Sequence, residues 1–540
     1  MRREAPGASR VLVPLAFLAA GLAAGYGPML GSGLTRMQVD RGDTRHLNWV
    51  LEHGWRWATG WPGHADVWSP PAFWPEAGTA VYSDPLLGAM PFYGVFRMLG
   101  FQPDTALQLF MLLASVLNFA AFYLLLRRPL GLSPLAASFG AFLFAYGSVR
   151  NVQIGHQQLL LHVFSVSALY ACARLWGGVP AEGRARTAWC AALAAALVAL
   201  FWAGFYLAWF LALALSCALA WALGLPRTRA RVLARWRFDV PRLALFGVLG
   251  AAALWPLAVR YAAAAHVVGM RNLDEIVPML PGPAAYVNMG AASWLYGWTA
   301  DAGLFRSLAP LEVEKRLGLG LVTSALVVWG LASRQRDPGV RVVLLTMVSL
   351  AGLSLLLPGG LTLWRAVYAG FPAGSAIRAV PRVGLVLLFG ASAGLAFAAE
   401  RLEVSGKTAL LTALGVLVVL EQGQTMPSYD KAAAREQVQR VARAVPPGCR
   451  AFFYSPLENR GRAAWETQVD AMWASMETVV PTVNGYSGNF PPGWMPLYDH
   501  NIQKERPTDP GRLRAALDAW LAAHGVSGRD VCWVQIPEPS

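Results

Sequence analysis

Asp40-Arg41-Gly42-Asp43-Thr44-Arg45-His46-Leu47-Asn48-Trp49 places two carboxylates and two arginines immediately before a stretch with helical periodicity that runs on through Glu52, His53, Trp55 and Trp57. A carboxylate at such a position can take the proton of a hydroxyl as that hydroxyl attacks, provided it lies within hydrogen-bond reach. Asp43 is the candidate general base and Asp40 is a second acid, a metal ligand or simply a solvated loop charge, while Arg45 is a candidate substrate contact. A plainer reading is that Asp43 or Thr44 caps the helix by accepting backbone N–H bonds.

Three other runs carry usable chemistry. Gly155-His156-Gln157-Gln158 sets His156 in a hairpin between two apolar blocks, where an interfacial histidine satisfied by backbone is the simpler alternative. Phe371 to Arg382 brings Arg378 and Arg382 to the start of another block. A guanidinium at membrane depth is costly unless paired or functional, and guanidinium groups hold phosphate oxygens bidentately. The pair could therefore bind the phosphate of a lipid carrier, or snorkel to headgroups. In Val483 to Trp494, Gly, Asn and Pro specify turns, and Tyr486, Phe490 and Trp494 offer flat faces to a sugar or serve only to pack the loop. No Cys/His spacing supports a zinc site.

The elements that must position these groups lie in a membrane. The 540 residues are 56% hydrophobic, the mean hydropathy is +0.41, and the apolar residues recur in blocks of roughly 17–25. Arg2, Arg3 and Arg10 precede the first block and leave the N-terminus cytoplasmic. The net charge of +14 collects between blocks, at Arg127–Arg128, Arg184–Arg186, Arg227–Arg237 and Arg334–Arg341. Such a pattern marks loops facing an anionic leaflet, and it gives no reason to expect nucleic acid. Spans are expected near 11–30, 104–126, 134–149, 157–176, 187–202, 204–225, 241–260, 317–332, 341–358, 382–400 and 408–421, about eleven crossings. The block 85–100 is expected as an interfacial or re-entrant helix, because a further crossing would move Arg127 and Arg128 outside.

This topology makes 1–421 a transmembrane domain with outer loops 31–103 and 261–316, the second carrying Asp274, Glu275, Asp301 and Trp294–Trp298. It leaves 422–540 as a small soluble α/β domain outside. Arg450–Tyr454 and Val531–Ile536 have strand character there, while Ala463–Val479 and Gly511–His524 fit amphipathic helices. Cys172, Cys190 and Cys217 lie in apolar blocks as small hydrophobes. Cys449 and Cys532 lie in the outer domain, where an oxidising compartment permits a disulfide.

The order of these parts resembles the GT-C class of polyprenyl-phosphate-dependent membrane glycosyltransferases. More narrowly, Gly42-Asp43, Tyr82-Ser83-Asp84-Pro85, Gly155-His156, Arg378 to Arg382 and Asn484-Gly485-Tyr486-Ser487-Gly488 are similar to YfhO-like and glycosyltransferase-like bacterial membrane proteins. The resemblance implies an Asp of the first outer loop as catalytic base, a role that falls on Asp43 or on Asp40. It implies inverting transfer of a sugar from a polyprenyl-phosphate donor to an acceptor glycan, lipid or protein at the outer face of a bacterial inner membrane. Arg45, Asp84, His156, Arg378, Arg382 and Tyr486 are the expected substrate contacts. Acids often adjoin in the first loop of the class; here Arg41 and Gly42 separate them, which leaves a divalent cation (Mg or Mn) open. A transporter or flippase for a lipid-linked substrate, and a non-catalytic envelope assembly protein, are the alternatives.

Overall fold

The computed structural model describes residues 9–178, 180–457, 462–499, 501 and 509–537; Arg2, Arg3 and the side chain of Arg10 lie outside the described residues. The chain forms two units, one of Met1–Leu30, Met111–Leu254 and Met270–Met426, the other of Gly31–Phe110, Trp255–Gly269 and Pro427–Ser540.

The first unit is helical. A helix occupies each of the eleven expected spans, and seven of them are long and apolar enough to cross a membrane: Val11–Gly31, Pro103–Arg127, Gln157–Trp176, Gly183–Ala203, Phe205–Gly224, Trp236–Val268 and Val380–Val404. The other four, Pro134–Tyr146, Leu321–Ser333, Pro338–Ser354 and Thr408–Gln422, hold 13 to 17 residues. At 1.5 Å per residue they rise only about 20–25 Å, less than the roughly 30 Å of hydrocarbon. Small residues let these short helices pack closely. A Cβ on Gly330 would stand 1.9 Å from the Gly394 carbonyl oxygen, so a glycine is required where Leu321–Ser333 meets Gly384–Val404. The start of Leu321–Ser333 is held by the buried carboxylate of Glu421, which accepts the amides of Val322 and Thr323 at 2.9 and 2.7 Å. These amides have no partner inside their own helix.

The second unit joins distant parts of the chain. Its core contains Trp49 and Phe73 together with Phe452, Met472, Trp494 and Trp520, so the expected domain 422–540 shares one core with 31–110. Strands β1 (Arg36–Gln38) and β2 (Ser428–Asp430) pair antiparallel, Arg36 opposite Asp430, while β3 (Ala451–Tyr454) and β4 (Val531–Val534) pair parallel. The Cys449–Cys532 disulfide ties the start of β3 to β4. Helices at Ala464–Thr478 and Pro510–Ala523 lie where the amphipathic patterns indicated. The block at 85–100 contains the helix Met90–Met98, nine residues long and too short to cross. Trp494 is fully buried and stacks on Phe490 with centroids 5.4 Å apart; its ring is core, not a surface for a sugar.

Candidate functional site

Asp43 is the first residue of the helix Asp43–Ala58, and the capping position belongs to Gly42, with no side-chain cap. Neither Asp43 nor Thr44 is the N-cap. Asp40 instead accepts the Gly42 amide at 2.7 Å and shapes the turn into the helix, a job for a loop carboxylate that needs no substrate. A carboxylate at the first helical residue is favoured by the helix dipole. It is also held by a partner from far along the chain: the Tyr486 hydroxyl donates to Asp43 Oδ1 at 2.7 Å.

The local sequence explains how Tyr486 is presented. The Asn484 amide pairs with both polar groups of the Tyr454 backbone, Oδ1 accepting at 2.7 Å and Nδ2 donating at 3.0 Å. Gly485 follows, where a Cβ would fall 2.2 Å from the Phe73 ring. Burial first, and then the Asp43 charge, push the Tyr486 phenol far above its ordinary value, so it remains a donor to the carboxylate. A carboxylate has about four acceptor positions, so this bond orients Asp43 without exhausting it.

One turn on, His46 sets its ring edge-to-face against Tyr486, centroids 5.4 Å apart. It is buried, and neither ring nitrogen has a hydrogen-bond partner among the described residues. Burial lowers its pKa to about 4 against the opposing pull of Asp43, so the ring is neutral. The cavity beneath, lined by His46, Trp49, Thr79, Ser83 and Tyr486, is about 20 Å³, room for about one water molecule. A sugar ring does not fit in it.

His53 and His64 lie deeper in the same unit. His53 Nε2 donates to the Val67 carbonyl at 3.1 Å, and the two Nδ1 atoms are 2.7 Å apart. One neutral tautomer of each ring satisfies both contacts, whereas protonating both rings would set two N–H groups head to head. Burial lowers His53 to about 4, and burial followed by the charge of its neighbours lowers His64 to about 3. All three histidines thus take up protons more readily when unfolded, so their stabilisation is complete above about pH 6.5 and is lost as the pH falls towards 4. Thermal unfolding of the detergent-solubilised chain should show stability dropping by about 1 kcal/mol per pH unit for each ring below pH 6.5. A His53→Gln variant should flatten that slope, and a flat profile in the unsubstituted protein would contradict the burial argument.

The remaining second-unit candidates are built into the structure. Arg45 pairs with the buried Asp470 at 2.7 Å, and Asp470 also accepts from Arg462 at 2.5 Å. Asp84 is buried and accepts the Tyr261 hydroxyl at 3.1 Å. Glu52, fully buried, receives Tyr93, Arg56 and Arg97.

In the first unit, His156 and Arg382 come together on a carboxylate absent from the sequence-derived candidates. Glu314 Oε1 lies 3.8 Å from His156 Nε2 and 3.9 Å from Arg382 Nη2. Gln153 donates to Glu314 Oε2 at 3.3 Å. The Arg382 guanidinium lies 4.8 Å over the Tyr206 ring, a cation–π placement, and its buried Nε has no hydrogen-bond partner among the described residues. Arg378 does not join this group. The chain forms short 3₁₀ turns at Gly374–Ala376 and Val380–Val383, so a four-residue spacing does not set the two arginines on one face as an α-helix would. The Arg378 side chain is exposed, and its backbone amide donates to the Tyr206 hydroxyl at 3.1 Å. The signal for Glu314 was its place in 261–316 beside a span; Tyr206, inside an apolar run, gave none.

Among the described residues, no group of three or more His, Cys, Asp or Glu could hold a metal ion. Asp40 and Asp43 are engaged with the Gly42 amide and the Tyr486 hydroxyl.

No known protein family and no curated protein matches the sequence. Among solved structures, the chain is similar to the arabinofuranosyltransferase AftD from Mycobacteria, with a TM-score of 0.50 at 14% identity over 92% of this chain. It spans only 33% of AftD's length. ArnT from Cupriavidus metallidurans in its apo state gives a TM-score of 0.44 at 13% identity, covering 88% of this chain and 84% of ArnT. The fold is that of the GT-C membrane proteins, with many spans and a small α/β part.

Proposed function

We propose that this multi-pass membrane protein is an inverting glycosyltransferase that moves a sugar from a polyprenyl-phosphate donor to an acceptor glycan, lipid or protein at the outer face of the membrane. The observation that carries this reading is the carboxylate of Asp43, fixed on the first turn of its helix by the Tyr486 hydroxyl in a chain with the GT-C fold. Asp43 takes the proton of the acceptor hydroxyl while that oxygen attacks the anomeric carbon from the face opposite the leaving group. The new C–O bond forms as the bond to the carrier breaks, and polyprenyl phosphate departs with the electron pair. Tyr486 keeps the base oriented, and the neutral His46 beside it adds no competing charge.

Arg382 is the group we assign to the carrier phosphate. Its 3.9 Å distance to Glu314 and an Nε without a hydrogen-bond partner among the described residues leave donors of the kind that phosphate oxygens match. His156 and Gln153 steady Glu314, which sets the direction of the guanidinium. Replacing Arg382 by Lys should raise the KM for the lipid donor roughly 10- to 100-fold, the loss of one charge-assisted hydrogen bond. Arg378→Ala should change it less than about threefold, since that side chain is exposed. Equal effects of the two substitutions in donor titrations would contradict the assignment.

The reading is tested with the full chain in detergent, supplied with a membrane lipid extract containing polyprenyl-phosphate sugars and with envelope glycan as acceptor. Mass spectrometry should show free polyprenyl phosphate accumulating only when acceptor is present. If the lipid-linked sugars stay intact with a folded protein, the transferase reading falls. Movement of the intact lipid across proteoliposomes would then support a flippase.

A further inference from the structure

A larger cavity, of about 190 Å³, opens on another face of the helix Asp43–Ala58, bounded by Arg45, Asn48, Tyr429, Trp473, Lys431 and Arg435. Positions 46, 49, 50 and 53 follow the i, i+3, i+4, i+7 spacing of one helical face and line the small cavity under Tyr486; positions 45 and 48 lie on the next stripe round. The space equals the liquid volume of about six water molecules, enough for one pyranose ring and little more.

We propose that this cavity is a carbohydrate-binding site that prefers a sugar carrying a carboxylate. Three features of its wall point to that class. Asn48 is 4% exposed, yet its amide makes no hydrogen bond among the described residues, and its Oδ1 is buried. Leaving such a group unpaired costs roughly 1–3 kcal/mol, and a sugar oxygen that accepts from Nδ2 gives the amide a partner. Trp473 is pinned at its edge, its indole N–H donating to the Arg45 carbonyl at 3.1 Å, and its ring offers an apolar surface to the C–H face of a pyranose. Tyr429, whose phenol is pushed well up by burial, supplies a hydroxyl that stays protonated.

Charge narrows the class further. Arg45, Lys431 and Arg435 stand against Asp104 and Glu477 in the lining, with Asp470 behind Arg45, so three cations line the cavity against two carboxylates and a uronate is favoured over an amino sugar. A phosphate-rich ligand fits less well, because the cations are already engaged. Arg435 holds Asp104 at 2.5 and 2.7 Å, Lys431 donates to Thr105 and Gln108 at 2.8 Å each, and Arg45 is backed by Asp470. Asp104 would have to be displaced before they could converge on one dianion.

This goes beyond the transferase reading and does not require it, because binding is read without any lipid donor. The full chain in detergent is titrated separately with trigalacturonate, maltotriose and triglucosamine, with saturation-transfer NMR and calorimetry as readouts. Trigalacturonate should bind best, with affinity falling severalfold from 50 to 300 mM salt. Asn48→Ala should weaken it at least about tenfold, and Asn48→Asp, of nearly the same shape and checked for folding by its unfolding temperature, should abolish it by opposing the uronate charge. Binding of trigalacturonate that is equal in Asn48→Asp and the unsubstituted chain overturns the proposal. So does a preference for maltotriose or triglucosamine, and so does no binding of any of the three. A chain that loses transfer through Asp43 yet keeps trigalacturonate binding separates this site from the proposed reaction.

Discussion

Replacing Asp43 by Asn lowers sugar transfer by about 100- to 10,000-fold, the contribution of a positioned general base, and leaves the fold intact. The amide oxygen of Asn can still accept the Tyr486 hydroxyl that reaches Asp43 at 2.7 Å, so that donor keeps its partner while the proton-accepting capacity is removed. Unfolding should stay within about 1 kcal/mol of the unsubstituted chain, and the donor KM should hold while kcat falls. Tyr486→Phe should cost far less, about tenfold, because it removes an orienting hydrogen bond and keeps the carboxylate. Asp40→Asn should resemble the parent, since an amide oxygen also accepts from the Gly42 N–H. Release of polyprenyl phosphate measured against time distinguishes the three; an Asp40 variant as impaired as the Asp43 variant would move the base to Asp40.

The largest expected loss of stability follows from Glu52. Its carboxylate is fully buried and takes Arg56 Nε at 3.0 Å, Arg97 Nε and Nη2 at 2.8 and 3.1 Å, and the Tyr93 hydroxyl at 2.7 Å. Glu52→Ala strands the buried Arg56 with a single backbone acceptor, the Met476 carbonyl at 2.7 Å. Removing one member of a buried ionic cluster costs about 3–5 kcal/mol, a large share of the roughly 5–15 kcal/mol that holds a domain folded. A fall in unfolding temperature on the order of 10 °C should follow, read from tryptophan fluorescence of the full chain in detergent. Glu52→Gln, which keeps an acceptor for Tyr93 and one guanidinium, should lie between. A change under about 2 °C for Glu52→Ala would show that the cluster does not anchor the unit.

How far the sequence could be read depended on the range over which its signals act. Apolar blocks and the residues flanking them are local, and every expected span corresponds to a helix. The helix beginning at Asp43 was legible from its periodicity, but its cap was not: Gly42 takes that position because the Asp40 side chain closes the preceding turn. Contacts across hundreds of residues have no local signature. Tyr486 was noticed for its ring, whereas its hydroxyl is what meets Asp43, 443 positions away. Trp494 carries another aromatic ring in the same loop but is core, because Phe73 from the first segment packs against it with centroids 5.0 Å apart. Arg378 and Arg382 read as a pair from their place at the entry to a span, and their settings differ: Arg382 lies over the Tyr206 ring while Arg378 is exposed.

The central claim, that Asp43 is the base of a polyprenyl-phosphate-dependent transfer, is tested most directly in cells. Mass spectrometry of lipid-linked sugars is performed on membranes from a deletion strain complemented with the unsubstituted gene or with Asp43→Asn at equal protein levels. A polyprenyl-phosphate sugar should accumulate in the deletion, disappear with the unsubstituted chain and persist with the variant. Clearance of that lipid by the Asp43→Asn chain as complete as by the parent would contradict the account.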